Sequence, residues 1–334
     1  MEAVRDALGG RLAGDGPIGR RVEQRLATDL DAHRVLLTTS CTHAMELALL
    51  ALGIGPGHEV VCPSFTFVST ANAVLRVGAR PVFADIEDRT LGLDVRDVES
   101  RLTRRTAAVK PVHYTGVAPD MDGLLGLSRE RGFKVVEDAA QALGARFQGR
   151  ALGTLGHAGC FSFHESKNVT CGEGGALVLG NPELARKAEI IREKGTNRAA
   201  VLRGEVDKYT WVAEGSSYVL SDVLAAILEV QLDKLPEVDR KRASLVARYR
   251  RGLGAWAEEA GVRLPMEMPE RQPNHHVFYL LYPDGPSRDG ALAALRARGV
   301  MASFHYIPLH SAPHGHALGV GEERFPVTDR VAAT

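Results

Sequence analysis

The stretch FSFHESKNVTCGEGGAL, residues 161–177, is apolar at both ends, rich in glycine near its close, and carries one lysine, Lys167, near its middle. Lysine is almost never fully buried unless paired. A cation between a core strand and a glycine turn therefore either reaches solvent or uses its amine. In VVEDAAQALGA a carboxylate, Asp138, closes another apolar run. Ligands of open α/β sheets bind outside the carboxyl ends of strands. The plainer role for Asp138 is to cap a following helix. An amine and a carboxylate at two strand ends can also face one pocket.

The turn TTSCTHAMEL crowds Thr38, Thr39, Ser40 and Thr42 around a helix start. Free N–H groups and hydroxyls there form an anion site, although capping alone needs only one hydroxyl. PSFTFVSTAN places Phe65 and Phe67 at a further strand end, as core or as a stacking face, and Ser162 adds a hydroxyl near Lys167. A reactive lysine, a buried carboxylate, an anion-binding turn and an aromatic face together match pyridoxal 5′-phosphate (PLP). A lysine Schiff base with an aspartate on the pyridine nitrogen is the recognisable pairing of that cofactor. The carboxylate keeps the ring nitrogen protonated. The amine has to be neutral to attack an aldehyde, and burial or neighbouring positive charge lowers its pKa toward that state.

These groups need a frame. Apolar, β-branched runs predict strands at RVLLT (from Arg34), HEVVCP (His58), RPVFAD (Arg80), AAVKPVH (Ala107), FKVVED (Phe133), GCFSFH (Gly159) and GALVLG (Gly175). Continuous apolar runs suit strands buried on both faces. Amphipathic helices lie between several of them, so an α/β architecture with a mostly parallel, seven-stranded sheet is expected. The last two strands follow each other closely, so the sheet is expected to be mixed. From Ser221 the texture changes to a helix with Ser221 as N-cap, an interruption at Pro236, and a second helix. A strand HVFYLLYP, a helix RDGALAALRARG and a strand VMASFHYIPLH follow. The expectation is a large unit over residues 1–235 and a smaller α+β unit over 236–334.

The chain has 334 residues and is 45% hydrophobic, with 41 basic and 41 acidic side chains. That balance argues against a nucleic-acid partner, which favours a basic stripe. No run of 18 apolar residues suggests a membrane span, and MEAVRDALGG lacks the apolar core of a signal peptide. Cys41, Cys62, Cys160 and Cys171 show no C-x-x-C spacing, so neither a disulfide framework nor a zinc site is expected, and the default compartment is the cytoplasm. His275–His276 and His314–His316 lack metal-site spacing and read as loop residues.

Several segments carry a resemblance: GRLAGDGPIGRRVEQ, SCTHAMELALLALGIGPGHEVVCPSFTFVSTANAV, VKPVHYTGVAPDMD, VVEDAAQALGA, FSFHESKNVTCGEGGALV and FHYIPLH. Together they resemble the DegT/DnrJ/EryC1/StrS family of sugar-nucleotide aminotransferases, which has PLP fold type I. FHESKN, EIIREKGTNR, LRGEVDKYTW and GSSYVLSD are most similar to the branch that aminates C4 of dTDP-4-keto-6-deoxyglucose.

The resemblance implies that Lys167 is the Schiff-base lysine, that Asp138 pairs with the ring nitrogen and that Gln141 approaches the ring hydroxyl. It implies that Cys41, Thr42 and Ser162 hold the phosphate, the first two partly through backbone N–H, and that Phe67 stacks on the ring. Many relatives donate an asparagine to the phosphate from the partner subunit of a homodimer, and Ser217 stands at that place. The implied reaction is a ping-pong transamination from L-glutamate to the 4-ketosugar. Part of the family carries histidine in place of the lysine and dehydrates its substrate, and Lys167 argues against that branch. For the sugar nucleotide, Arg198, Arg203, Lys208, His164, Tyr209, His305, Tyr306 and His310 are candidates, against the plainer reading of a solvated loop and packing histidines. The resemblance also implies a longer chain, with a short segment before GRLAGDG and a strand and helix after PVTDRVA.

Overall fold

The computed structural model describes residues 2–10, 12–319 and 324–334, so Arg11 of the GRLAGDG motif lies outside the described residues. All seven expected strands form, with two short ones between them. They are β1 (Arg34–Thr38), β2 (Glu59–Pro63), β3 (Arg80–Ala84), β4 (Thr106–Val109), β5 (Lys134–Asp138), β6 (Arg146–Phe147), β7 (Arg150–Ala151), β8 (Ala158–Ser162) and β9 (Gly175–Leu179). The main sheet has seven strands in the order β1-β9-β8-β5-β4-β2-β3. β9 runs antiparallel to both neighbours, and the β5–β8, β4–β5, β2–β4 and β2–β3 pairs are parallel. The sheet is therefore mixed, as the close spacing of the last two strands anticipates.

Helices cover both faces, and the period of two along each strand sorts the side chains between them. Leu37, Val61, Val135 and Phe161 pack with Val22, Leu26, Leu124 and Leu228 of the helices Pro17–Leu30, Met121–Arg131 and Asp222–Asp233. Leu36, Val60, Val136 and Cys160 pack on the opposite face with Ala44, Val74 and Ala188 of Cys41–Ala51, Ser69–Arg76 and Pro182–Arg192. All five residues of β2 and of β9 are buried. A strand sealed on both faces has no polar side to display, which is why these read as unbroken apolar runs.

Ser221 caps its helix as expected, its Oγ accepting from the Leu224 N–H. The chain breaks at Lys234, and the next helix, Leu235–Glu259, carries Pro236 in its first turn, where a missing N–H costs nothing. Beyond it the structure corrects one expectation. HVFYLLYP and VMASFHYIPLH do not pair as strands. Their ladder contact among the described residues is a single bridge, Arg263 to Leu281. Tyr279, Leu281 and Tyr306 instead pack against Phe65, Ile86 and Tyr114, and the Leu309 N–H donates to the Ser64 carbonyl at 3.0 Å. The apolar alternation is satisfied by another surface rather than by a sheet of its own. A two-residue strand β10 (Arg271–Gln272) pairs with β6, giving a small ladder β10-β6-β7.

Candidate active site

Asp138 ends β5 and is 5% exposed. Turns rather than a helix follow it, so it caps nothing. Its Oδ2 accepts from Thr70 Oγ1 at 2.8 Å, and its Oδ1 from the Ala140 N–H at 3.2 Å. Thr66 Oγ1 lies 2.8 Å from Thr70 Oγ1 and fixes that hydroxyl in turn. The carboxylate is thus oriented before anything binds it. Val136 and Asp138 share a face of β5, Cys160 and Ser162 share the same face of β8, and both look toward the helices Cys41–Ala51 and Ser69–Arg76.

Lys167 stands on the turn between β8 and β9, its N–H donating to the His164 carbonyl at 3.0 Å. Burial pulls its amine below the ordinary lysine pKa, while the proximity of Cys41 and Asp138 pulls the other way. Burial wins, so the side chain is moved toward the neutral form a nucleophilic amine requires.

The hydroxyl-rich turn divides its labour. Ser40 caps the helix by accepting from the His43 N–H, Thr38 Oγ1 donates to the Ser40 carbonyl, and Thr39 Oγ1 contacts His43. Thr42 Oγ1 donates to Ser69 Oγ at 3.0 Å. Ser69 opens the next helix, so two helix N-termini converge at one point beyond the sheet. The first N–H groups of a helix have no intrahelical acceptor, and converging starts concentrate positive potential. Cys41 is buried, with a thiol raised well above its ordinary pKa chiefly by that burial and an Sγ turned to the Cys160 carbonyl. It offers an anion its N–H, not a thiolate. A Cβ on Gly175 would fall 2.3 Å from the Ser40 carbonyl carbon. Only glycine lets β9 pass this close to the helix start.

On the far side, Gln141 Oε1 accepts from the Thr115 N–H at 2.7 Å and its Nε2 donates to Tyr306 Oη at 3.3 Å. His305 stacks on Tyr306 with ring centroids 4.2 Å apart and meets Tyr114 Oη through Nδ1. The C-terminal segment therefore reaches over the Asp138–Gln141 turn. Burial, with Lys167 nearby, holds His305 below its ordinary pKa.

His276 joins the same cluster, although its sequence context reads as a loop. Its Nδ1 lies 3.0 Å from Asn168 Oδ1, and Asn168 Nδ2 donates to the Asn274 carbonyl at 3.0 Å. Asn274 Nδ2 in turn donates to the carbonyls of Gln141 and Leu143. Burial first, then Lys167, Arg242 and His305, push the His276 pKa down to about 3. Behind Asp138 lies a further pair missed in the sequence. Glu137 accepts from His113 Nε2 and from the N–H groups of Gly153, Leu155 and Gly156, pinning that loop beneath the sheet.

Other candidates lie elsewhere. Phe67 is 59% exposed. His164 turns outward, its Nδ1 to Ser166 Oγ and its Nε2 3.7 Å from Glu173. Arg198 is not open to a phosphate. Its guanidinium is held by Asp15 at 3.2 Å and Glu193 at 2.9 Å. Arg203 is likewise paired with Glu189 and Glu205. Lys208, Tyr209 and Ser217 lie on an exposed arm, residues 202–217. His310 is a packing histidine, bonded to Ser64 Oγ and Asp329 and stacked on Phe325.

The groups present fit PLP. An oriented buried carboxylate, an amine shifted toward neutrality and a two-helix anion cradle occupy one end of the sheet. Asp138 suits the ring nitrogen, Lys167 the aldehyde carbon, and the N–H groups of Cys41 and Thr42 with the hydroxyls of Thr42 and Ser162 the phosphate. Among the described residues no acidic, histidine or cysteine cluster could hold a metal ion, and no helix is long and apolar enough to cross a membrane.

Residues 1–334 match the DegT/DnrJ/EryC1/StrS aminotransferase family. DesV of S. venezuelae is similar in structure with a TM-score of 0.91 and 34% identity, covering 99% of this chain and 86% of DesV. The aminotransferase TlmJ of Streptoalloteichus hindustanus gives 0.90 and 36%, covering 99% and 87% of the two chains. Spr1654 of Streptococcus pneumoniae in its PLP form gives 0.91 and 25%, covering 100% and 88%.

Proposed function

This protein belongs to the DegT/DnrJ/EryC1/StrS aminotransferase family and is a PLP-dependent sugar aminotransferase, and from that premise we propose that it moves an amino group from L-glutamate to C4 of dTDP-4-keto-6-deoxy-D-glucose. The observation that carries the aminotransferase chemistry is the meeting of Lys167, Asp138 and the Cys41–Thr42 helix start at one sheet end. The C4 choice rests on the similarity of FHESKN, EIIREKGTNR, LRGEVDKYTW and GSSYVLSD to that branch.

When bound, PLP supplies an electron sink for negative charge at the carbon that bears the transferred nitrogen. The chain's own residues do the rest. Asp138, fixed by Thr70 and the Ala140 N–H, would hold the ring nitrogen and favour its protonated form. Lys167 Nζ, its pKa lowered by burial, would take a proton from the donor Cα and return one to the sugar carbon. Gln141 orients the ring edge that Tyr306 also approaches. Phe67 would cover the ring. His164, Lys208, Tyr209, His305 and Tyr306 meet the sugar nucleotide. Arg198, already ion-paired, enters that set only if a bound diphosphate displaces Asp15 or Glu193.

We place Ser217 in the active site of a second copy. The arm that carries it is tied to its own chain by the bridges Glu193–Ser217 and Thr196–Trp211 but turns its side chains to solvent, with Trp211 76% exposed, and a homodimer gives that surface an occupant. The same reading keeps the division at 235/236 and a cytoplasmic setting.

The test is optical and chemical. L-glutamate should bleach the visible band of the PLP-loaded protein, and the 4-ketosugar should restore it. Product NMR should find nitrogen on C4. Nitrogen on C3, or no recovery of colour with this ketosugar, would sink the substrate assignment.

A further inference from the structure

Lys110 follows β4 directly and is fully buried, at 0% exposure. Among the described residues no carboxylate lies within ion-pair distance of it. Its Nζ donates to the Thr70 carbonyl at 2.9 Å. Thr70 Oγ1 donates to Asp138 Oδ2 at 2.8 Å. One residue therefore links a buried ammonium to the carboxylate of the cofactor site. Lys110 projects from the same sheet face as Ala108 of β4, and that face is shared by Val136 and Cys160.

From β2, β8 and the helix start come Cys62, Cys160 and Cys41, each of which feels both Lys110 and Asp138. Burial raises all three thiols, Cys62 to about 12, so they stay uncharged and offer no counter-ion. Glu137 is committed to His113 and three amides. Lys167 is a second amine, not a partner. Asp138 is the remaining negative charge, and a buried cation needs one.

We propose that Lys110 is a positioning residue for Asp138, fixing Thr70 from behind and supplying a standing positive charge that tempers the grip of Asp138 on the cofactor's ring nitrogen. The inference rests on the reading of Asp138 as the ring-nitrogen partner. A unit charge two hydrogen-bond links away disfavours further protonation of the cofactor. Its removal should therefore raise the pH midpoint of the cofactor's visible band.

The experiment uses Lys110→Met and Lys110→Gln. Both approximate the volume of lysine, and the second keeps a donor for the Thr70 carbonyl. In the loaded protein both should raise the band midpoint by about one pH unit, the size expected of one charge at this remove in a medium of effective dielectric ~20. An unchanged midpoint in both would overturn the proposal. A shift in Lys110→Met alone would also overturn it, because the hydrogen bond and not the charge would be at work. A second readout needs no cofactor. Nitrogen-labelled lysine in the apoprotein should show a slowly exchanging ammonium resonance that is missing from either variant, and a neutral amine there overturns the charge. If Lys110→Met does not fold, Lys110→Gln and the apoprotein resonance carry the test. Asp138→Asn separates the two readings. If it keeps the wild-type midpoint, the Asp138 assignment falls, while the apoprotein resonance still decides the charge of Lys110.

Discussion

Lys167 is held below its ordinary pKa by burial, against the pull of Cys41 and Asp138. Between the lowered folded value and the ordinary 10.5, the unfolded chain binds the extra proton, so this group makes stability rise with pH across that window. The amine also becomes competent as pH climbs through the lowered value, so the rate of PLP uptake by apoprotein should rise with a midpoint below 10.5. Lys167→Ala removes the proton carrier, and kcat should fall by roughly 10²–10⁴-fold, the usual worth of a positioned acid–base group. A variant that turned over at the wild-type rate would remove Lys167 from the mechanism. Thr70→Val takes away a hydrogen bond to a buried charge, worth ~1.5–3 kcal/mol. We expect kcat/KM to drop about tenfold or more, read by steady-state kinetics. His276 works at lower pH. Its folded value of about 3 against an ordinary 6.5 means that acidification through that interval favours the unfolded chain. His276→Gln should flatten the acid limb of a melting-temperature profile.

Elements decide how close these groups come. The helix start at Cys41 and the strand β9 touch because Gly175 has no side chain. Gly175→Ala forces a Cβ into the Ser40 backbone, and overpacking of that kind costs ~1–3 kcal/mol. Calorimetry should show a lower melting temperature, and PLP titration a weaker uptake. An unchanged affinity would mean that the helix start tolerates displacement. The elements also show what a sequence can and cannot display. The seven main strands were legible because burial on both faces leaves each an unbroken apolar run. Lys167 and Asp138 were legible because a charge at the end of such a run is anomalous. Lys110 has the same anomaly yet escaped, since the proline and histidine after it read as ordinary strand continuation. HVFYLLYP and VMASFHYIPLH alternate like strands, but alternation records only that one face is buried, not against what. Of the two carboxylates that hold Arg198, Glu193 is five residues away and within reach of a local pattern, whereas Asp15 stands 183 residues earlier, a distance no local pattern spans. His276 needed Asn168 and Asn274 brought beside it from 108 and two positions away.

At the scale of the molecule, the proposed sharing of sites between two copies falls on the exposed arm over residues 202–217 and its Trp211. Mixing Lys167→Ala with an arm variant such as Ser217→Arg tests this directly. Each alone should be inactive, and exchange of subunits should restore part of the turnover by assembling one intact site. Silence after mixing, with heterodimers shown to form, would confine each site to a single chain.

Among the described residues β9 alone points opposite to the other six strands of the main sheet, and the chain reverses into it through the turn bearing Lys167. Asp138 and Lys167 are therefore delivered by two adjacent strands, β5 and β8, in the fixed alignment of Asp138 with Cys160. A slip of one residue between those strands would exchange the faces of β8 and turn Ser162, with the lysine turn behind it, away from the carboxylate. Colour on refolding with PLP would then act as a gauge of strand alignment. A chain that regains its helical signal but stays colourless has its central strands out of step.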